Sequence, residues 1–257
     1  MTRPAVLVTG GAKRVGAAIA EGFAKAGWHV VIHYHRSARE ATDLAAGLPS
    51  AETVQCELSD PGAVEEMVAV LSARLLDWRC CVANAALFLP DDAAALDEDL
   101  FDRLLTVNAR ASARLIQLYL AHAYAAQGRR AIAITDQKLF NPNPDFFSYT
   151  LTKAALAGAV PLLAMGAARE ADRVYALAPG AILPSHDQNA AEAEVSHRLN
   201  LLQRRTSAGE IADGCVFLAQ GLLASGETLL VDSGQHLLRQ ARDVIYLARD
   251  EPGARPA

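Results

Sequence analysis

The sequence predicts one α/β domain, a doubly wound parallel sheet of about seven strands with helices on both faces. Three observations carry this expectation. Short apolar runs alternate with longer amphipathic ones, the pattern of repeated strand-crossover-strand units. The first unit breaks at a glycine cluster, Thr9-Gly10-Gly11-Ala12-Lys13-Arg14-Val15-Gly16. A chain of 257 residues without an internal repeat also suits a single large domain that buries a sizeable core.

The elements follow in order. Ala5-Val6-Leu7-Val8 reads as the first strand, the glycine cluster as a turn, and the stretch to Ala26 as an amphipathic helix. Glycines let a pyrophosphate approach the backbone, and the free N–H groups at a helix start favour an anion, although such a turn can be purely structural. The next run, His29-Val30-Val31-Ile32-His33-Tyr34, ends about twenty residues on, where dinucleotide folds read the adenosine ribose. No carboxylate follows it to accept from a ribose 2′-hydroxyl. His35-Arg36-Ser37 follows instead, with Lys13 and Arg14 on the turn. That set suits a 2′-phosphate through charge-assisted bonds and predicts NADP rather than NAD. Ser37 has a second, compatible reading, because Ser37-Ala38-Arg39-Glu40 fits a capping box.

Further on, Ala131-Ile132-Ala133-Ile134 reads as a strand with Asp136 just past its end. A cap or turn role is open to that aspartate, as is a ligand role, since open α/β sheets bind ligands at the carboxyl ends of their strands. Tyr149 and Lys153 stand four apart in a helical segment and share one face. A cation held there favours the phenolate and lowers a pKa ordinarily of about 10, preparing the group for proton exchange. By itself the pair reads more readily as a surface helix pair. The polar stretch from Ser185 to about Arg205 reads as a covering loop with helices, a natural lid. Ser207-Ala208-Gly209-Glu210 fits a capping box for a helix through Phe217, and Thr228 to Gly234 the last strand and turn. Arg242 to Leu247 suggests an ordered segment at a subunit edge, and Glu251 to Ala257 a frayed tail. The expected domain spans 1–247, with a cofactor part over 1–135, a catalytic part over 136–234 and a flexible tail over 248–257.

Charge and composition exclude several classes. Twenty-nine acidic against 24 basic residues, a net −5 with no basic block, argue against nucleic-acid binding. Neither a secretory leader nor a run of eighteen apolar residues is evident, which predicts a cytoplasmic protein without membrane attachment. Cys56, Cys80, Cys81 and Cys215 lie in core-like segments and suit reduced thiols. Adjacent Cys80 and Cys81 should face opposite sides of the sheet, and the seven histidines form no ligand pattern, so no metal is expected.

Together these segments resemble the short-chain dehydrogenase/reductase family along nearly the whole chain, and within it the pteridine reductases, including bacterial dihydromonapterin and dihydrofolate reductases. Thr9, Gly10 and Gly16 match the family's glycine motif, with Arg14 in place of its middle glycine. The resemblance implies a Rossmann fold, with NADPH held by Gly10, Lys13, Arg14, Val15, Gly16, His35, Arg36, Ser37, Glu57, Leu58, Asn84, Ala85, Lys153, Pro179 and Gly180. Glu57-Leu58 stands where the family has an acidic pair partner beside adenine, and Pro179-Gly180 where its Pro-Gly turn meets the nicotinamide amide. In Cys81-Val82-Ala83-Asn84-Ala85-Ala86-Leu87-Phe88, Asn84 and Ala85 match the family motif, whereas Ala83 and Ala86 replace polar or glycine positions. Tyr175 likewise replaces an asparagine.

The resemblance also implies the site's chemistry. Asp136 replaces the family's usual serine, thirteen residues before the tyrosine, as in pteridine reductases, where it binds the pterin and relays a proton. Phe88 corresponds to the aromatic that stacks on the pterin, although its own composition reads as core packing. Asn108 corresponds to the asparagine that interrupts a helix and supports a proton relay, and otherwise reads as a satisfied buried amide. Asn108, Asp136, Tyr149 and Lys153 are thus the catalytic candidates, and Arg14, Phe88, Asp136 and Tyr149 the substrate-binding ones. The implied reaction is NADPH-dependent reduction of a dihydropterin, of dihydrobiopterin, dihydromonapterin or dihydrofolate type. An NADPH-dependent carbonyl reductase acting on 3-oxoacyl groups is the alternative, and a catalytically weak NADP-sensing protein a further one. Family members are commonly homotetramers, and the faces of Leu115, Leu118, Leu120 and of Leu156, Val160, Leu163 offer either partner contacts or intramolecular core.

Overall fold

The computed structural model describes residues 3–185 and 188–250. Seven parallel strands form one sheet: β1 (Ala5–Val8), β2 (His29–Tyr34), β3 (Ala51–Gln55), β4 (Trp78–Ala83), β5 (Arg130–Ile134), β6 (Arg173–Pro179) and β7 (Thr228–Val231). Their order is β3-β2-β1-β4-β5-β6-β7. The order reverses between β1 and β4, which opens a crevice at the carboxyl ends of these strands.

Both faces of the sheet are covered, so the strands read as continuous apolar runs. On one face α1 (Arg14–Lys25), α2 (Ala38–Gly47) and α8 (Ala208–Ala219) pack Ile19, Phe23, Ala41, Ile211 and Cys215 against Val6, Val8 and Ile32. On the other, α3 (Pro61–Arg74), α5 (Ser112–His122) and α6 (Phe147–Gly166) pack Leu71, Leu115, Ile116 and Leu156 against Leu7, Val31 and Cys81. Cys80 and Cys81 fall in opposite clusters, as strand alternation requires, and burial raises both thiol pKa values.

The helix before β5 is interrupted. α4 (Glu98–Leu104) runs into a π-helical turn, Leu105–Ala111, and then into α5. Two short helices, α7 (Ala190–Ser196) and α9 (Val244–Asp250), pack on each other beyond the sheet's carboxyl edge.

Several local expectations change in three dimensions. The capping box at Ser207 forms reciprocally with Glu210, but Ser37 makes no side-chain cap, and the Glu40 side chain pairs with Lys13. Leu115, Leu118, Leu156 and Val160 are intramolecular core, with Leu120 and Leu163 packed on it, so their burial needs no partner. The large apolar residues α6 does expose are Leu151, Leu162 and Met165. That helix is 20 residues long with a window of mean hydropathy 1.2, but its buried side carries Tyr149, Thr152 and Lys153. The segment from Arg242 is ordered and bonds to Asp145 of the domain, and residues 248–250 are helical, not a tail. The tail expected from Glu251 to Ala257 lies outside the described residues. Tyr175, in the asparagine position, donates its hydroxyl to Leu223 O at 2.7 Å.

Candidate active site

A cleft of about 900 Å³ opens over the crevice, lined by Gly10, Lys13, His35, Arg36, Ser37, Glu57, Leu58 and Ala85 among others. Its floor is the glycine turn. Thr9 Oγ1 accepts from the Asn84 and Ala85 N–H groups at 2.9 and 3.0 Å, and Asn84 Nδ2 donates to Thr9 O at 2.9 Å. These bonds lock the ends of β1 and β4 together. Gly10 takes φ +60, and a Cβ on Gly16 would stand 2.1 Å from Gly10 O. Only glycine lets α1 begin this close to the turn.

His33 braces the turn without any motif to mark it. It is 2% exposed, accepts the Gly10 N–H on Nδ1 at 3.1 Å and lies 3.1 Å from Cys56 O through Nε2. That geometry requires the Nε2-protonated tautomer, and burial lowers the ring's pKa to about 4. A neutral imidazole therefore ties the turn to β2 and to the end of β3. The available signal was a histidine in an inward-facing strand position, which also describes an ordinary core residue.

The remaining residues predicted around the cofactor divide by role. Asn84 and Gly16 brace the turn, while Val15 packs against the core. Arg14 holds φ +55, a left-handed conformation that glycine adopts without strain, and its Nη2 donates to Pro184 O at 2.9 Å. The arginine thus reaches from the turn to the loop after β6. His35 pairs with Glu57 at 3.0 Å, and the Ser59 N–H, His35 and Arg36 hold the Glu57 carboxyl below its usual range. Pro179 ends β6, and Gly180 lines a second pocket.

This second pocket, of about 160 Å³, is lined by Phe88, Asp136, Tyr149 and Gly180, by Ser185, Gln188, Ser196 and His197 of the covering segment, and by Asp243, Val244 and Ile245. His186 and Asp187 of that segment lie outside the described residues. Asp136 follows β5 and makes two bonds. Its Oδ1 accepts the Lys138 N–H at 2.8 Å, capping a single 3₁₀ turn, and its Oδ2 accepts the Tyr149 hydroxyl at 2.9 Å. The cap reading holds, and the same carboxyl also meets Tyr149.

The electrostatics reverse one expectation. Tyr149 was expected to be acidified by Lys153, yet burial and the Asp136 carboxylate raise its pKa well above 10. Lys153 Nζ donates to Ile134 O at 2.7 Å and lies 5.7 Å from the Tyr149 ring centre, and its own pKa falls to about 8 through burial. Asp136 is also raised by burial, tempered by the Lys138 N–H, the Tyr149 hydroxyl and the Lys153 charge. The phenol is thereby kept protonated, with its hydroxyl hydrogen directed onto the Asp136 carboxylate.

Asn108 sits in the π-helical turn, a local distortion frequent at functional sites. Its Oδ1 accepts the Leu87 N–H at 2.7 Å, and its Nδ2 donates to Leu87 O at 2.9 Å and Thr152 Oγ1 at 3.1 Å. The amide therefore bolts the loop carrying Phe88 to the helix carrying Lys153. Phe88 is 37% exposed, so it is not core packing. Its ring stacks on Phe146 at 4.2 Å and meets Tyr149 edge-on at 4.7 Å.

Comparison with known proteins gives concordant matches. A family model described as enoyl-(acyl carrier protein) reductase matches residues 10–236. Pteridine reductase 1 of Leishmania tarentolae is 31% identical over 93% of this chain and 98% of the relative. The crystal structure of FolM alternative dihydrofolate reductase 1 from Brucella canis complexed with NADP superposes with a TM-score of 0.85 at 36% identity, covering 93% of this chain and 96% of that one. A putative ketoacyl reductase 2 of the granaticin polyketide synthase from Streptomyces violaceoruber is 26% identical over 91% of this chain and 97% of its own.

Proposed function

The chain belongs to the short-chain dehydrogenase/reductase family of oxidoreductases, and on that premise we propose that it uses NADPH to reduce a dihydropterin to its tetrahydro form. The single observation that carries the reading is the Asp136–Tyr149 hydrogen bond beneath the exposed ring of Phe88. A carboxyl can accept from ring N–H and amino groups and can pass on a proton, which suits a pterin better than a simple ketone.

The cleft fits an NADP molecule. The turn leaves no room for a Cβ on Gly16, and Arg36, Ser37, His35 and Lys13 gather at its far end, a cationic and hydroxylic set for a 2′-phosphate. The NADP-bound Brucella relative supports the same cofactor. Bound NADPH supplies the hydride.

This chain's residues do the rest. Tyr149, held protonated, donates to the substrate, Asp136 orients the heterocycle through its acceptor oxygens, and a solvent proton taken up through the Asp136 carboxylate returns the phenolate to the phenol. Lys153, fixed on Ile134 O, provides the positive charge beneath them, and Asn108 holds Phe88's loop in register with that helix. Phe88, backed by Phe146, gives a flat ring one aromatic face to stack on. Buried thiols suit a reducing compartment, the cytoplasm, and the exposed Leu151, Leu162 and Met165 of α6 suit burial in a homotetramer.

The test is loss of NADPH absorbance with purified protein and dihydrobiopterin, dihydromonapterin, dihydrofolate and an acetoacetyl thioester, repeated with NADH. Turnover of a dihydropterin with NADPH supports the reading. Turnover of the thioester alone favours carbonyl reduction, the activity suggested by the ketoacyl reductase likeness.

A further inference from the structure

We infer that the segment following β7 is a wall of the substrate pocket, and that Asp243 on it is a specificity-determining residue whose carboxylate selects a ligand bearing N–H donors. This inference rests on the dihydropterin reading above. Asp243, Val244 and Ile245 line the same small pocket as Phe88, Asp136 and Tyr149, although they lie about a hundred residues from the tyrosine in sequence.

The segment is anchored by a compact ionic cluster. Arg242 Nε donates to both Asp145 oxygens at 3.0 and 2.8 Å, and the Asp243 N–H donates to Asp145 Oδ2 at 2.7 Å. Lys138 Nζ donates to Asp243 Oδ2 at 3.1 Å and to Asp145 O at 2.5 Å. The side chains of Lys138, Asp145 and Asp243 are 5%, 6% and 14% exposed, so these charges meet away from bulk water. Interactions in such surroundings are stronger and geometrically defined.

Lys138 couples this cluster to the reacting groups. Its ammonium holds the Asp243 carboxylate, and its backbone N–H holds Asp136 Oδ1. One residue thus positions two carboxyl groups facing one pocket. Packing adds a second link: Ile245 shares an apolar cluster with Leu104, Phe146 and Tyr149, and Phe146 is the ring on which Phe88 stacks.

Asp243 retains acceptor capacity. Its Oδ1 accepts the Ile245 N–H at 3.1 Å and its Oδ2 accepts from Lys138, which leaves lone pairs on both oxygens. An amino-substituted heterocycle meets them with N–H donors. A thioester or ketone presents only oxygen acceptors toward that wall and gains nothing from it.

The test applies steady-state kinetics, direct NADPH titration and thermal unfolding to the full chain as wild type and as two variants, Asp243→Asn and Val244→Ala. Asp243→Asn keeps shape and the Ile245 cap but removes the charge. Its KM for the dihydropterin should rise about tenfold while kcat and NADPH Kd stay within about twofold, the split expected of lost substrate binding. Val244→Ala preserves every ionic contact and should change the dihydrofolate-to-dihydrobiopterin KM ratio by about threefold or more, because it reshapes the wall. Unchanged KM values in both variants overturn the inference. Should the wild type reduce only the thioester, the dihydropterin reading fails separately, and a thioester KM indifferent to both substitutions then removes the wall as well.

Discussion

Acidification should loosen the cofactor turn through one residue, His33. Its ring is 2% exposed, accepts the Gly10 N–H, and has a pKa lowered from 6.5 to about 4 by burial. In the unfolded chain the imidazole takes a proton near its ordinary value, so below that value unfolding is accompanied by proton uptake and stability falls with pH. The contribution is intact above pH 6.5 and is lost progressively as pH falls toward about 4. At about 1.4 kcal/mol per pH unit, the whole interval amounts to about 3 kcal/mol, and about 2 kcal/mol of it is gone by about pH 5. Other groups titrate in this range, so the comparison is with His33→Gln, whose amide can accept from Gly10 and donate to Cys56 O without titrating. Urea unfolding of both proteins at about pH 7 and about pH 5 should show wild type losing about 2 kcal/mol more than the variant. Parallel losses would refute the argument, because they would mean that His33 protonates as easily in the fold as outside it.

Other perturbations give sharper local readouts. Tyr149→Phe removes the hydroxyl on Asp136 and should lower turnover by about 10²-fold or more while NADPH titration changes little; preserved turnover would place the proton donor elsewhere. Gly16→Ala inserts a Cβ 2.1 Å from Gly10 O, so the turn must shift, and stability should fall by about 1–3 kcal/mol in urea unfolding with NADPH binding weakened alongside. Arg14→Gly relieves the φ +55 conformation and should stabilise the fold by about 1 kcal/mol, while loss of the bond to Pro184 O lowers kcat/KM, a trade-off visible by pairing unfolding with kinetics.

The first half of the sheet was legible because its signals are local. His29–Tyr34 is the observed β2, and the glycine turn lies where a run of apolar residues stops, since strand alternation and glycine conformation need no distant partner. Pairings across the fold were not legible in the same way. Ser37 and Glu40 match a capping box, yet Lys13, adjacent only in three dimensions, takes the glutamate. The Tyr149–Lys153 spacing correctly places both on one face of a helix, but that this face is buried, and the direction of the tyrosine's pKa, depend on packing and on Asp136, which arrives from β5. His33 and Leu115 look alike as inward residues, and only the Gly10 N–H opposite the imidazole separates a brace from a filler. Arg242 to Ile245 carried no motif at all; its place in the pocket comes from pairing with Lys138 and Asp145.

The claim at the centre is that the Asp136 carboxyl makes this a pterin site. The most direct measurement is the ratio of kcat/KM for a dihydropterin to that for an acetoacetyl thioester, with NADPH, in wild type and in Asp136→Ser. The wild-type ratio should lie well in favour of the dihydropterin and fall by about 10²-fold in the variant while NADPH Kd holds. A wild type that prefers the thioester, or a ratio indifferent to the substitution, would contradict it.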